Sequence, residues 1–317
     1  MPDLSVVIPT HNNRSGLART LAHLFAQDYP AERFEIVILD DGSTDGTEEF
    51  VRSLASPVRV TYQWQPNRGR AAARNAGARL AAAPVLLYLD SDILAAPNLL
   101  SRHARYYTDP SRPVGVQGRT LIHPEAKVTP FMKTKELLPD LTRRRAENLS
   151  PYHVISRNLS LRAEDLWAVG GFDEGFPGYG WEDIELGLRL HARGVRFFYD
   201  HDAVGYHDDV ETLERSREKL RQAGEGAVYF WRKHNRRTGL GFFLEIHPLL
   251  LPLKWLVYRT GVLGRIIRAA LPWAEAGERL WVCSECYNFL LWEAYYDGVF
   301  AALRRPDPPA AGGQPAR

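Results

Sequence analysis

The chain has 317 residues, of which 45% are hydrophobic and 25% charged, a composition typical of a globular protein with a substantial core. Its formal net charge of +2 gives no reason to expect nucleic acid as a partner. The two cysteines, Cys283 and Cys286, are too few for a disulfide framework, which excludes a small secreted fold held together by disulfides.

The first 122 residues alternate between strand-like and helix-like patterns. Strands are predicted at 4–9, 35–40, 58–64, 85–90 and 114–122, and helices near 16–27, 46–54, 70–82 and 97–107. This alternation predicts an α/β fold with a mostly parallel sheet covered by helices on both faces. No charged segment with an apolar core precedes the first strand, so we expect no signal peptide and a cytoplasmic location.

The middle of the chain contains a long segment without a periodic pattern, 124–150, which carries Pro, Lys and Arg. A segment of this length inside a domain is usually a lid, a binding loop or disordered. Its three consecutive arginines, 143–145, are too short a run to predict a nucleic-acid site. A strand-like run follows at 153–161, and then a Gly-rich turn and a helix over about 181–193.

After residue 207 the pattern becomes helical, with a charged amphipathic helix at 211–235 and aromatic-rich segments at 239–271 and 279–303. Charged residues and prolines interrupt the apolar stretch, so it lacks the roughly 18 apolar residues of a membrane-spanning helix. Two uses stay open: peripheral contact with the inner membrane face, with Trp255 and Lys254 among the anchors, or a homodimer interface. We therefore predict a domain at 1–210, a helical extension at 211–305 and a disordered tail at 306–317.

The tripeptide Asp90-Ser91-Asp92 follows an apolar strand-like run, at the edge of the sheet where α/β folds bind ligands. Strand alternation points both carboxylates to the same side, where they can face one divalent cation through oxygen ligands. The same acids can instead cap the helix that follows, and these residues alone leave both interpretations open.

Three further segments carry groups suited to a nucleotide-linked sugar. Asp41 ends a predicted strand and can accept a hydrogen bond from a pyrimidine N–H, although Asp-Asp-Gly-Ser is also a common turn. The segment 67–77 brings a glycine and arginines to a helix start, which favours phosphate. Glu182 and Asp183 follow Gly180 and Trp181; a tryptophan ring can pack on a sugar, while acids at a helix start also have a purely structural explanation.

In this order and spacing, segments 7–13, 38–45, 67–92 and 170–187 resemble the GT-A glycosyltransferases of family 2, and the last also resembles a C-terminal galactosyltransferase-type motif. The resemblance covers about residues 4–207. It implies a GT-A fold with a Rossmann-like nucleotide-diphospho-sugar transferase sheet. It also implies metal-dependent, inverting transfer from a nucleotide-sugar, most often UDP-linked, to a hydroxyl of a saccharide or lipid-linked acceptor.

The resemblance also implies residue roles. Asp183 would be the general base, and Glu182 would hold a sugar hydroxyl. The donor would be bound by Thr10, Asn12, Asp41, Gly69, Arg74, Asn75 and Asp90, and the acceptor by Gly180 and Trp181. Asp92 and His207, with Asp90 directly or through water, would hold Mn²⁺ or Mg²⁺, His201 being the alternative histidine. His11 departs from the family, which often has an aromatic residue there.

Two other functions remain open on the sequence. A nucleotidyltransferase on a similar sheet would need a Gly-rich, Lys-bearing loop directly after the first strand, and residues 9–13 lack one. A non-catalytic nucleotide- or carbohydrate-binding protein could keep the fold without the reaction.

Overall fold

The computed structural model describes residues 2–126, 128–135, 148–208 and 210–306. The chain divides into two compact units. The sheet unit comprises Met1–Lys127, Pro139–Gly175 and Glu182–Val210, and the helical unit comprises Val128–Leu138, Phe176–Trp181 and Glu211–Arg317. About half of the predicted loop, including the arginines at 143–145, and all but the first residue of the predicted tail lie outside the described residues.

Within the described residues, the sheet unit contains an eight-stranded sheet. Its strands are β1 (Leu4–Thr10), β2 (Phe34–Asp41), β3 (Arg59–Gln65), β4 (Val85–Leu89), β5 (Ile93–Ala95), β6 (Val114–Ile122), β7 (Asn158–Arg162) and β8 (Arg196–His207), in the order β3-β2-β1-β4-β7-β6-β8-β5. Strands β3, β2, β1 and β4 are parallel, as are β6 and β8, whereas β7 is antiparallel to β4 and β6, and β5 to β8.

The described helices are α1 (Arg14–Phe25), α2 (Thr47–Arg52), α3 (Arg70–Leu80), α4 (Leu99–Ala104), α5 (Pro130–Lys135), α6 (Ala163–Ala168), α7 (Glu182–Ala192), α8 (Leu213–Lys233), α9 (Thr238–Phe243), α10 (Leu251–Arg259), α11 (Val262–Ala276) and α12 (Leu280–Leu303). Helices α5 and α8–α12 belong to the helical unit, and the others belong to the sheet unit.

Two hydrophobic cores cover the two faces of the sheet, which explains the continuous apolar runs. In β4, Val85, Leu87 and Leu89 pack into one core, and Leu86 and Tyr88 pack into the other. Burial of both faces is typical of parallel strands between helices. The predicted α/β fold with helices on both faces is therefore confirmed.

Two strands were absent from the sequence interpretation. β5 has only three residues, which is too short for a periodic signal, and β8 is interrupted by the polar segment 200–202 and by a register shift against β6. Both matter, because pairing of Ile93 with His207 brings the end of β8 beside the Asp90–Asp92 turn. The predicted strand at 153–161 begins later, at Asn158, because residues 151–153 form a 3₁₀ turn.

The helical unit is organised around the contact between α8 and α12. A Cβ atom on Gly224 would lie 2.0 Å from the carbonyl oxygen of Tyr295, and one on Gly298 would lie 1.9 Å from that of Arg221. Both glycines are therefore needed for the close approach of the two helix backbones. In the part of the chain that the structure describes, we find no helix whose length and apolar content would carry it through a bilayer.

A buried polar chain joins α4 to β7 in the sheet unit. Tyr107 donates to the Ser160 hydroxyl at 2.8 Å, the Ser160 hydroxyl lies 2.7 Å from His103 Nδ1, and His103 Nε2 lies 2.9 Å from the Asn158 amide oxygen. These partners fit a neutral imidazole that donates from Nε2 and accepts at Nδ1. Burial lowers the pKa of His103 to about 4.

Because the pKa of folded His103 is lowered, we expect the protein to lose stability in mild acid. Between pH 6.5 and pH 4 the unfolded chain binds a proton that folded His103 does not, so the free energy of unfolding should fall by about 3 kcal/mol over that range. Chemical unfolding at pH 7, 5.5 and 4.5 measures this fall. His103→Gln should show a shallower dependence on pH than the wild type, and equal slopes would contradict the assignment.

Candidate active site

The predicted binding residues of the sheet unit collect at one edge of the sheet, where β1, β2 and β4 end. Thr10 is the last residue of β1, Asp41 is the last residue of β2, and Asp90 directly follows β4. Thr10 is 3% exposed, and its hydroxyl has no hydrogen-bond partner within the described ranges. A buried hydroxyl without a partner is costly, so its position favours contact with a ligand.

The Asp41 carboxylate organises the loop before α3. Its Oδ1 accepts from the Gln65 side chain at 2.7 Å and from the Arg68 N–H at 2.9 Å, and its Oδ2 accepts from the Gly69 N–H at 2.9 Å. A carboxylate offers about four acceptor positions, so one remains for a substrate N–H. Asp41 and Gly69 are thus in direct contact at the start of α3.

Asn12 bridges the loops that follow β1 and β2. Its side-chain oxygen accepts from the Thr44 N–H at 2.8 Å, and its own N–H donates to the Ser43 hydroxyl at 2.8 Å. The residue has a φ of 48°, in the left-handed region that asparagine tolerates better than most residues. Asn12 is exposed, and these contacts fix the loop that borders the predicted donor site.

Arg74 connects three carboxylates from different parts of the sequence. Its Nη1 lies 3.1 Å from Glu182 Oε1 and 3.7 Å from Asp183 Oδ1, and its Nη2 lies 3.4 Å from Asp90 Oδ1. Only 5% of the side chain is exposed. Burial lowers the pKa of Arg74, but the charges of Asp183, Asp90 and Glu182 outweigh it and raise that pKa overall. The guanidinium therefore stays charged and holds these acids together.

The two adjacent acids at the start of α7 have different environments. Glu182 is 4% exposed, and burial, together with the charge of Asp183, raises its pKa although Arg74 lowers it. Asp183 Oδ2 accepts from the Ser156 N–H at 3.0 Å, and its side chain is 16% exposed. Glu182 is thus a buried partner of Arg74, whereas Asp183 reaches the surface of the site.

The second acid of the turn at 90–92 lies beside the predicted histidine. Asp92 Oδ2 is 3.5 Å from His207 Nε2, and both side chains are about a quarter exposed. A carboxylate and an imidazole at this distance can share one divalent cation. No group of three or more metal-ligating residues exists among residues 2–126, 128–135, 148–208 and 210–306. Two protein ligands nevertheless fit Mg²⁺-type binding, which is commonly completed by waters and substrate phosphates.

Asn75 was predicted to bind the donor, but its amide is occupied by protein groups. Its Nδ2 donates to the Phe172 carbonyl at 2.8 Å and to Glu174 at 2.9 Å, and its Oδ1 accepts from the Phe172 N–H at 2.8 Å. The residue therefore clamps the turn that carries Phe172. That ring lies 5.6 Å from the Arg74 guanidinium, so the clamp supports Arg74.

Trp181 and Gly180, the predicted acceptor contacts, belong to the helical unit. The Trp181 indole N–H donates to the Ala223 carbonyl at 2.7 Å, and its ring lies 5.9 Å from that of Phe243. A Cβ atom on Gly180, at a φ of 95°, would lie 3.4 Å from Ala223 Cβ. Packing against α8 and the positive φ thus give both residues a structural role, and their contact with an acceptor stays a prediction.

The sequence interpretation did not include two residues that lie at the candidate site, Ser156 and Tyr88. Ser156 acts through its backbone N–H, which no sequence pattern reveals. Tyr88 is fully buried and its hydroxyl has no hydrogen-bond partner in the described chain; burial, and to a smaller extent Asp183, raise its pKa while Arg74 lowers it. It precedes Asp90 by two residues, and strand alternation could have placed it on the same side.

A cleft of about 230 Å³ opens at the same edge of the sheet unit. It is lined by Gln117, Gly118, Thr120, Ile155, Arg157, Asn158 and Tyr199. Its wall continues into the carboxylate cluster, because the Arg157 carbonyl accepts from the Asp90 N–H and Ser156 donates to Asp183. The cleft therefore adjoins the acids that Arg74 holds.

Comparison with known families identifies the class. The family model described as "Glycosyl transferase family 2" matches residues 5–170, and that described as "N-terminal domain of galactosyltransferase" matches residues 148–212. The chain therefore belongs to glycosyl transferase family 2, and the protein is a glycosyltransferase.

Among similar proteins is the validoxylamine A glucosyltransferase of Streptomyces hygroscopicus subsp. jinggangensis (strain 5008). It is 36% identical over 306 residues, which cover 87% of this chain and 68% of that protein. The counterpart from Streptomyces hygroscopicus subsp. limoneus is also 36% identical, and the alignment covers 64% of its length. The chain thus spans about two thirds of these relatives.

A solved structure confirms the fold assignment. The mannosyltransferase PcManGT from Pyrobaculum calidifontis, in complex with GDP-Man and Mn²⁺, superposes with a TM-score of 0.62 at 21% identity, covering 93% of this chain and 87% of that one. The predicted GT-A fold is confirmed.

Proposed function

We propose that the protein is a metal-dependent, inverting glycosyltransferase that moves a sugar from a nucleotide diphosphate to an acceptor hydroxyl, with Asp183 as the base. The environment of Asp183 carries the proposal. Its carboxylate is oriented by the Ser156 N–H, lies 3.7 Å from the Arg74 guanidinium and is still partly exposed. Inverting transfer needs one such base, which takes the hydroxyl proton as the oxygen attacks the anomeric carbon.

The roles of the other acids follow from their contacts. Glu182 is buried with a raised pKa and is bonded to Arg74, so we assign it a positioning role instead of the predicted contact with a sugar hydroxyl. Asp90 shares Arg74, and we retain it as a donor contact but not as a metal ligand. Arg74 itself acts by holding these carboxylates at the sheet edge.

The proposed donor is a UDP-sugar. Thr10 and Asp41 end adjacent parallel strands, and the free acceptor position of Asp41 suits a uracil N–H. Gly69 precedes α3, where N–H groups and the helix dipole favour phosphate. Because similar proteins are validoxylamine A glucosyltransferases, UDP-glucose is the first donor to test. The acceptors to test are a small hydroxylated molecule such as validoxylamine A and the saccharide or lipid-linked acceptors implied by the family.

We propose that Asp92 and His207 hold the divalent cation, Mn²⁺ or Mg²⁺. Bound there, the cation would offset the charge of the departing diphosphate. The carboxylate and the imidazole need no rearrangement of the chain, because pairing of β5 with β8 already sets them 3.5 Å apart. The metal that accompanies GDP-Man in PcManGT is consistent with this proposal.

Removing either proposed metal ligand should weaken metal binding and leave the protein folded. We expect Asp92→Asn and His207→Ala to weaken Mn²⁺ binding in the presence of UDP by on the order of tenfold or more, since each removes one of two protein ligands. Electron paramagnetic resonance titration of free Mn²⁺ measures this directly. His201→Ala is the matched control, because that ring packs on Tyr199 at 4.7 Å, and its Mn²⁺ affinity should be unchanged. Weakened binding in the control, with full binding in His207→Ala, would reverse the assignment.

The proposal as a whole is tested with a donor panel. The purified chain with Mn²⁺ should bind UDP and should hydrolyse or transfer from at least one UDP-sugar, and chelation should abolish turnover. A panel that also includes GDP-sugars shows whether the enzyme prefers uracil or guanine in the donor nucleotide. The proposal would be contradicted if the protein bound no UDP and turned over no UDP-sugar of the panel.

A further inference from the structure

Large apolar side chains are exposed in one part of the helical unit, between α9 and the start of α12. Three of the eight tryptophans are half or more exposed there: Trp255 at 50%, Trp273 at 59% and Trp281 at 73%. Leu249 and Leu253 are still more exposed than Trp255, at 78% and 61%. Exposed apolar residues gathered in this way usually mark an interaction surface.

The exposed residues form the outer sides of α10 and α11. α10 contacts α12 through Tyr258, which stacks on Tyr296, so Leu253 and Leu256 are left outside. Residues Gly264 and Ala274 are the buried positions of α11, whereas Val262, Ile266 and Trp273 are exposed at spacings of four and seven. We call these five exposed side chains the outer patch. Their spacing gives each helix a second apolar side that no described residue covers.

The segment that carries the outer patch is basic in sequence. Between Ile246 and Ala274 the chain has four Lys and Arg residues and no Asp or Glu. Three of the four pair with carboxylates outside this segment: Lys254 with Glu245, Arg259 with Asp297 and Arg268 with Glu293. Arg265 has no carboxylate partner in the described chain, and its Nε donates only to the backbone of Gly261.

We propose that the outer patch rests on the surface of an anionic lipid membrane. Helices with an apolar side, tryptophans and a basic border lie in the interface plane without crossing it. A second copy of the chain fits less well, because a two-fold contact would bring the patch against itself, and segment 246–274 offers no carboxylate to pair with Arg265.

Vesicle binding by the full chain tests this surface without reference to turnover. We expect co-sedimentation with vesicles of phosphatidylcholine mixed with phosphatidylglycerol, and weaker binding to phosphatidylcholine alone. Leu253→Ser/Ile266→Ser/Trp273→Ser should reduce binding to the mixed vesicles by roughly tenfold or more. Arg265→Gln should reduce it by about fivefold, the effect of one basic residue near an anionic surface.

The matched control is Trp64→Ser/Tyr152→Ser/Val210→Ser, which removes three exposed apolar side chains from the sheet unit. Its vesicle binding should equal that of the wild type. Absence of binding to both kinds of vesicle, or full binding by the triple patch variant, would overturn the proposal. A wild-type dimer in sedimentation velocity that the patch variant converts to monomer, without vesicle binding, would assign the surface to a second copy.

Discussion

Asp183→Asn is expected to lower kcat for glycosyl transfer by about 10²–10⁴-fold while leaving UDP binding intact. The amide oxygen can still accept from the Ser156 N–H, so the loop before β7 keeps its anchor. What the variant loses is the ability to take the proton of the acceptor hydroxyl. Steady-state kinetics with the best donor of the panel, together with calorimetric titration of UDP, measures both quantities.

The matched control for this change is Asp165→Asn. Asp165 is also partly buried, burial is the main cause of its raised pKa, and its Oδ2 has no hydrogen-bond partner in the described part of the chain. It lies on α6, outside the proposed site, so activity and UDP binding should stay at wild-type values. If Asp183→Asn lost UDP binding together with turnover, its role would be structural and the proposed base would be wrong.

Arg74→Met is expected to destabilise the fold by about 3–5 kcal/mol, because it leaves buried carboxylates without their counter-charge. Glu182 should be affected most, because it is only 4% accessible to solvent and its Oε2 has no hydrogen-bond partner within the described ranges. Activity should fall by on the order of 10² or more even at temperatures where the variant is folded, since Asp90 and Asp183 lose their common partner. Chemical unfolding and single-turnover kinetics measure the two effects.

Arg79→Met on the same helix is the control, because 58% of that side chain is exposed and its ion pair with Glu174 spans 3.8 Å. Its unfolding free energy should change by less than about 1 kcal/mol. The double variant Arg74→Met/Glu182→Gln distinguishes the two roles of Arg74. It should recover part of the stability, because the amide needs no counter-charge, but it should not recover activity. Full recovery of activity would show that Arg74 acts on folding alone.

The sequence predicted the fold well where local patterns decide the structure. The strands that line the site are continuous apolar runs, and the helices between them have the expected spacing, so Thr10, Asp41 and Asp90 were correctly expected at strand ends. β8 escaped prediction because residues 200–202 break its alternation and its register shifts against β6. Long-range pairing and burial determine that strand, and neither is visible locally.

Individual side chains were harder to predict than the location of the site. Asp92 and His207 are 115 positions apart, and their proximity depends on the unpredicted pairing of β5 with β8. Asn75 was chosen by its position in a motif, yet its amide bonds to the chain itself. The indole N–H of Trp181 also bonds to the chain, whereas the contact of its ring with a sugar stays a prediction. A motif specifies which residues are near a site, but the hydrogen bonds decide which of them support it and which are available to a ligand.

The most direct test of the central claim is the configuration of the product formed from a UDP-α-sugar. Proton NMR of the transfer product, collected early in the reaction, gives the anomeric coupling constant. Single displacement with Asp183 as the base predicts a β-linked product, with the anomeric carbon inverted once. An α-linked product, formed by an enzyme that still depends on Asp183, would contradict single displacement and the role assigned to that carboxylate.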